Sequence, residues 1–179
     1  MPSSIQTSSW DAILFSSPRR LPEPKGKASS EELLSELDGF TGAVGIWDSG
    51  RPGPVTAFRF DIDCVQVGET SDPAHEANAG GYASQRPNLM HACGHDGHLA
   101  VGLGVAQWIK DHADQLCGKI KLVFQPAEEG TRGAQPMAES GILDDVDFIV
   151  CTHIGSSVPL HQVAVCTHGY LATTKLDIY

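Results

Sequence analysis

Between His91 and His98 the chain reads His91-Ala92-Cys93-Gly94-His95-Asp96-Gly97-His98, so three histidines, a cysteine and an aspartate fall within eight residues. Imidazole, thiolate and carboxylate are the side chains that hold borderline transition-metal ions, and the two glycines permit a backbone tight enough for neighbouring side chains to converge. Downstream lie the adjacent carboxylates Glu128-Glu129, and then His153 within Cys151-Thr152-His153-Ile154-Gly155. A dinuclear hydrolytic centre requires nitrogen, sulfur and carboxylate ligands, together with one unliganded carboxylate that takes a proton from a metal-activated water. Every one of these types is present.

Each residue also has a plainer reading. Cys93 and His95 alone describe a turn with a buried thiol and a surface histidine, Glu128-Glu129 alone is a solvated acidic pair, and His153 alone is a core histidine. The density of ligand types, followed by the paired glutamates and an isolated histidine, favours a metal site over those readings. A nucleophilic Cys93 paired with His91, His95 or His98 is the competing chemistry. It leaves Glu128-Glu129 without a task. His75, His112, His161 and His168 have no such context and read as surface residues.

The elements that must position these groups follow from apolar patterning. Residues 1–27 are rich in Ser and Pro without a period and read as an irregular arm. Ser29 and Glu32 form a capping-box start for a short helix over Leu33, Leu34 and Leu37, closed by Gly39. Ala43–Trp47 and Val55–Phe60, separated by a turn-forming stretch, read as a hairpin-like pair of strands. The second runs into Asp61-Ile62-Asp63, carboxylates at a strand end. Residues 66–90 form a long polar loop. Asp96 can cap a helix beginning near Gly97, whose Gly102 and Gly104 demand close packing as compensation. Lys119–Phe124 is the next strand and leads straight into Gln125-Pro126-Ala127-Glu128-Glu129-Gly130. Gly133–Ser140 reads as a short helix constrained by Pro136, and Asp147–Cys151 as a strand delivering His153. Gln162–Cys166 and Lys175–Tyr179 read as two more strands. The rhythm is that of an α/β fold with a mixed, mainly parallel sheet flanked by helices, its strand ends bringing the carboxylates and His153 to one edge.

Composition sets bounds on partners. A chain of 179 residues with 41% hydrophobic and 19% charged residues matches a globular domain. A formal charge of −10 argues against nucleic acid or a membrane surface as partner. No apolar run is long enough for a membrane span, and no basic-then-apolar leader opens the chain. Five widely spaced cysteines do not form a disulfide framework, which points to a reducing, cytoplasmic setting.

Phe60-Asp61-Ile62-Asp63, Met90–His98, Phe124–Gly130 and His153, in that order, resemble the amidohydrolase branch of the aminoacylase and glutamate-carboxypeptidase type metallopeptidases, which includes hippurate hydrolases and plant auxin-conjugate hydrolases. Within that branch, Gly50–Pro54, Gly130–Ala134, Asp144–Asp147 and Ala172–Lys175 are most similar to members that hydrolyse p-aminobenzoyl-glutamate. The resemblance implies a dinuclear zinc-exopeptidase-like catalytic domain with two divalent ions, manganese or zinc. It implies that Cys93 bridges both, that His95 and His153 complete one, that Glu129 binds the other, that Glu128 is the general base, and that Asp63 orients a ligand from behind. The implied reaction is hydrolysis of the amide of an N-acyl or N-aroyl amino acid, a small-molecule substrate, by a homodimer or a hetero-oligomer with a paralogous partner.

Members of that branch continue past the strand beginning at Thr173 into a lid and dimerisation domain and later supply a further metal-binding histidine. The expected organisation is therefore an arm at 1–27, a partial catalytic domain at 28–172, and the first strand of the lid at 173–179. On this pattern the chain is truncated, binds one metal well and a second poorly, and is weakly active or inactive alone. A non-catalytic metal-binding or interaction piece that needs a partner chain is the alternative.

Overall fold

The computed structural model describes residues 41–130, 133–155 and 158–165, and the backbone of 9–15. The strand with the most regular alternation is central. In β4 (Lys119–Gln125), Ile120, Leu122 and Phe124 face one side, and Lys121, Val123 and Gln125 the other. It lies between β2 (Gly42–Asp48), antiparallel to it, and β3 (Val55–Asp61), parallel to it. The edges are β1 (Ser9–Phe15), antiparallel to β2, and β5 (Phe148–Cys151), parallel to β3. The sheet order is β1-β2-β4-β3-β5. Four strands run in one direction and β2 against them, so the sheet is mixed and mainly parallel, as the patterning predicts.

Helices flank both faces. Three occur among the described residues: α1 (Glu76–Ala79), α2 (His95–Asp111) and α3 (Ala134–Glu139). Ile109, Val105 and Ala106 of α2 pack on Trp47, Phe58, Phe60, Ile120 and Leu122. On the opposite face Met137 of α3, with Ile142, Leu143 and Val146, covers Val44, Ala57 and Val123. Gly102 explains how α2 approaches so closely: a Cβ there would lie 2.6 Å from Phe124 and 2.9 Å from Phe60. Those two rings stack with centroids 5.6 Å apart. Pro136 sits in the first turn of α3, where its missing N–H costs no helical bond.

Three expectations are corrected. β2 and β3 are not a hairpin, because β4 inserts between them and takes the hydrogen bonds of both. Gln162–Val165, the described part of the strand expected at Gln162–Cys166, pairs with no strand among the described residues; Val163 and Val165 alternate but are 86% and 85% exposed. The stretch expected to be an irregular arm contains β1, paired from Ser9 opposite Asp48 to Phe15 opposite Gly42. The helix expected over Ser29–Gly39 and the strand at Lys175–Tyr179 lie outside the described residues.

The parallel register decides what meets at the sheet's C-terminal edge. Asp61 ends β3 opposite Gln125, the end of β4, and Cys151 ends β5 opposite Arg59. Asp61-Ile62-Asp63, Glu128-Glu129 and His153 therefore leave the sheet on the same side. That edge is where ligands bind in open α/β sheets.

Candidate metal centre

His95 is the first residue of α2 and is fully buried. It follows Gly94, whose φ of 86° is a left-handed conformation that a side chain would strain. This turn lets Cys93 and His95 face the same space. His95 Nδ1 lies 2.9 Å from the Asp63 carbonyl oxygen. A carbonyl only accepts, so Nδ1 carries the proton and Nε2 presents its lone pair. That Nε2 is buried with no hydrogen-bond partner. Asp61 Oδ2, Glu128 Oε2 and Glu129 Oε1 each stand 3.9 Å from it. A lone pair facing three carboxylates with no donor between them is an arrangement that calls for a cation.

The other expected residues converge on the same space. Cys93 Sγ is 3.5 Å from His153 Nε2. His153 Nδ1 is 2.8 Å from the Ile154 carbonyl oxygen, so here too Nδ1 carries the proton, and Nε2 turns its lone pair towards Cys93. Asp63 receives the His95 proton on its backbone carbonyl, and its Oδ2 accepts the Glu129 N–H at 3.0 Å. It thus ties the end of β3 to α2 and to the glutamate loop. Ala127, with φ of 54°, turns that loop so that Glu128 and Glu129 face His95.

Two sets of potential ligand atoms lie within 4.8 Å of one another: Cys93, His95 and Glu129; and Asp61, His95, His98 and His153. His98 is removed from the second set by its bonds. Its Nδ1 is hydrogen-bonded to Asp61 Oδ1, and its Nε2 accepts the Ile154 N–H at 2.8 Å. No lone pair is left for an ion. The remaining groups, a thiol, two imidazoles and the carboxylates of Asp61 and Glu129, fit a divalent metal ion.

Electrostatics separate this chemistry from that of a cysteine nucleophile. Burial and then the hydrogen bond and negative charge of Glu129, with the charges of Glu128 and Asp61, push the Cys93 thiol up to about 11. A nucleophilic cysteine needs the opposite shift. Asp61 is pushed up by burial, yet the His98 hydrogen bond and the Arg59 charge outweigh that and hold it below the usual carboxylate range. Arg59 Nη1 is 2.9 Å from Asp61 Oδ2, and its Nε donates to Gln125 Oε1 at 2.7 Å.

Cys93, His95, Glu129, His153 and Asp63 are thus gathered with Glu128 at one sheet edge. Asp61 and His98, both buried, are residues of this edge to which sequence reasoning assigned no place in the metal site. His95 and His98 lie three apart at the start of α2, a spacing that puts both on one helical face and was the available signal.

The sequence model of peptidase family M20/M25/M40 matches residues 57–173. The chain is 50% identical to a p-aminobenzoyl-glutamate hydrolase subunit of Escherichia coli, over 79% of this chain and 32% of that protein. It is 49% identical to indole-3-acetyl-aspartic acid hydrolase of Enterobacter agglomerans, over 84% of this chain and 35% of that protein. A crystal structure of a dinuclear metal-binding peptidase of the M20 family from Bacillus subtilis superimposes with a TM-score of 0.60 at 34% identity, covering 66% of this chain and 31% of that one. The chain spans about a third of the length of the curated relatives it matches.

Proposed function

This chain belongs to peptidase family M20/M25/M40, and we propose that it carries the metal-holding part of an amidohydrolase that cleaves the amide bond of an N-acyl or N-aroyl amino acid. The observation that supports this most is the buried His95 Nε2, unpartnered and ringed by Asp61, Glu128 and Glu129. In this reading Cys93, His95, His153 and Glu129 hold two divalent ions, manganese or zinc. Bound ions would lower the pKa of water and polarise the amide carbonyl. Glu128, about one-third exposed, accepts the proton of the attacking water and returns it to the leaving amine. Asp63 fixes the His95 ring through its carbonyl and steadies the glutamate loop through its carboxylate.

The two relatives are named for amides of glutamate and aspartate, which favours an acidic leaving amino acid, with p-aminobenzoyl-glutamate as the first substrate to assay. The Escherichia coli relative is named as one subunit of its enzyme, which supports assembly with a paralogous chain, or with a second copy. The four described cysteines are free thiols, in keeping with a cytoplasmic setting.

The test is hydrolysis of p-aminobenzoyl-glutamate and hippurate by the manganese-loaded chain, before and after chelation, beside Glu128→Ala. Turnover should vanish on chelation and fall at least about 100-fold in the variant, with metal content kept. Turnover that survives either change refutes the reading. A second reading, a metal-binding piece that acts only beside a partner chain, is favoured by the exposure of His153 and by the share of the relatives' length that is spanned. Bound metal without turnover selects it.

A further inference from the structure

His98 lies in the first turn of α2, 2% exposed, and both of its ring nitrogens are engaged. Nδ1 meets the Asp61 carboxylate, whose other oxygen lies 2.9 Å from Arg59 Nη1. A carboxylate only accepts, so Nδ1 donates. Nε2 meets the Ile154 N–H, which only donates, so Nε2 accepts. His98 is thereby fixed as a neutral ring with its proton on Nδ1. The same residue continues the chain of bonds, because the Ile154 carbonyl accepts the His153 Nδ1 proton at 2.8 Å. His153 is left with its Nε2 lone pair towards Cys93.

A second contact secures the same loop. The Ile154 side chain lies over the start of α2, where a Cβ on Gly97 would be 2.5 Å from Ile154 Cδ1. A side chain at residue 97 would push that methyl aside. The ring of His98 also meets that of His153 edge-on, with centroids 4.6 Å apart. Arg59, Asp61, His98 and Ile154 therefore form one continuous path from β3 through α2 to the loop after β5.

We propose that His98 is a positioning residue: through Asp61 on one side and the Ile154 backbone on the other, it docks the loop after β5 onto α2 and selects the His153 tautomer that faces Cys93. Both of its ring nitrogens are taken up by these bonds, so it acts through His153 and is not itself a ligand. The consequence for metal affinity rests on the function proposed above, whereas the tautomers do not.

Two measurements test it separately. Long-range proton–nitrogen correlation spectra of the metal-free full chain, labelled at histidine nitrogen, should show the neutral forms of His98 and His153 both carrying the proton on Nδ1. Protonation of either at Nε2 overturns the proposal. Cobalt(II) titration should then show His98→Ala binding about 10- to 100-fold more weakly than wild type, with an altered visible spectrum. His98→Gln, whose amide can accept the Ile154 N–H, should recover part of the affinity and covers the case in which the alanine variant does not fold. Wild-type affinity and spectrum in a folded His98→Ala chain would overturn the proposal. If the wild-type chain takes up no cobalt, the metal reading fails, and the tautomers alone decide on His98.

Discussion

At the scale of single residues, burial and the charges around Cys93 control when its thiol gives up its proton, which the proposed metal role requires. Burial and three carboxylates raise its thiol to about 11, so below that pH the metal-free chain holds a neutral thiol, and the thiolate grows only as pH rises through it. Alkylation at pH 8, followed peptide by peptide, should find Cys93 at least about tenfold slower than the exposed Cys64 and Cys117. Equal rates would mean that the acidic ring is not felt at the sulfur. A metal must displace that proton, so uptake should release protons and weaken as pH falls. Convergence of Cys93, His95, Glu128, Glu129 and His153 was legible because strand ends and a ligand-dense turn leave a mark in sequence. The Asp61–His98 pair was not, since its meaning lies in which nitrogen carries a proton, and only three-dimensional partners fix that.

At the scale of elements, the two glycines of α2 make opposite demands. Gly104 has open space around its missing Cβ, so Gly104→Ala should stabilise the chain by about 0.5–1 kcal/mol through helix propensity alone. Gly102 has Phe60 and Phe124 in its place, so Gly102→Ala should destabilise by about 1–3 kcal/mol despite the same propensity gain. Urea unfolding of the two variants checks both signs, and a stabilised Gly102→Ala would contradict the packing described. The buried Lys121 in β4 is held by Asp145, whose carboxyl that hydrogen bond keeps below its ordinary range against the upward push of burial. The stability this pair adds is present above the ordinary carboxylate pKa of about 4 and is lost as pH falls through the lower folded value. Asp145 is itself 55% exposed, which screens the pair, so Asp145→Asn should cost only about 1–2 kcal/mol at neutral pH and nothing in acid. Short apolar runs between turn residues made β2, β3, β4 and β5 readable. It could not reveal that β4 enters between β2 and β3, because insertion order is set by non-local pairing, nor that Val163 and Val165 alternate without a partner strand among the described residues.

At the scale of the whole molecule, a sheet sends carboxylates and imidazoles to one edge and a helix closes against them. No described helix is long and apolar enough to cross a membrane, and the three carboxylates around His95 Nε2 make that edge acidic. Mixed topology and helices on both faces were legible from element order; the strand pairing of Ser9–Phe15 was not, because a short apolar run among Ser and Pro gives little local signal. The most direct test is calorimetric titration of the metal-free full chain with zinc or manganese, in buffers of different ionisation enthalpy, beside His95→Ala and Cys93→Ser. At least one tight equivalent with proton release is predicted, lost or weakened at least about tenfold in both variants. Absence of binding, or binding that neither substitution changes, would contradict the metal centre described above.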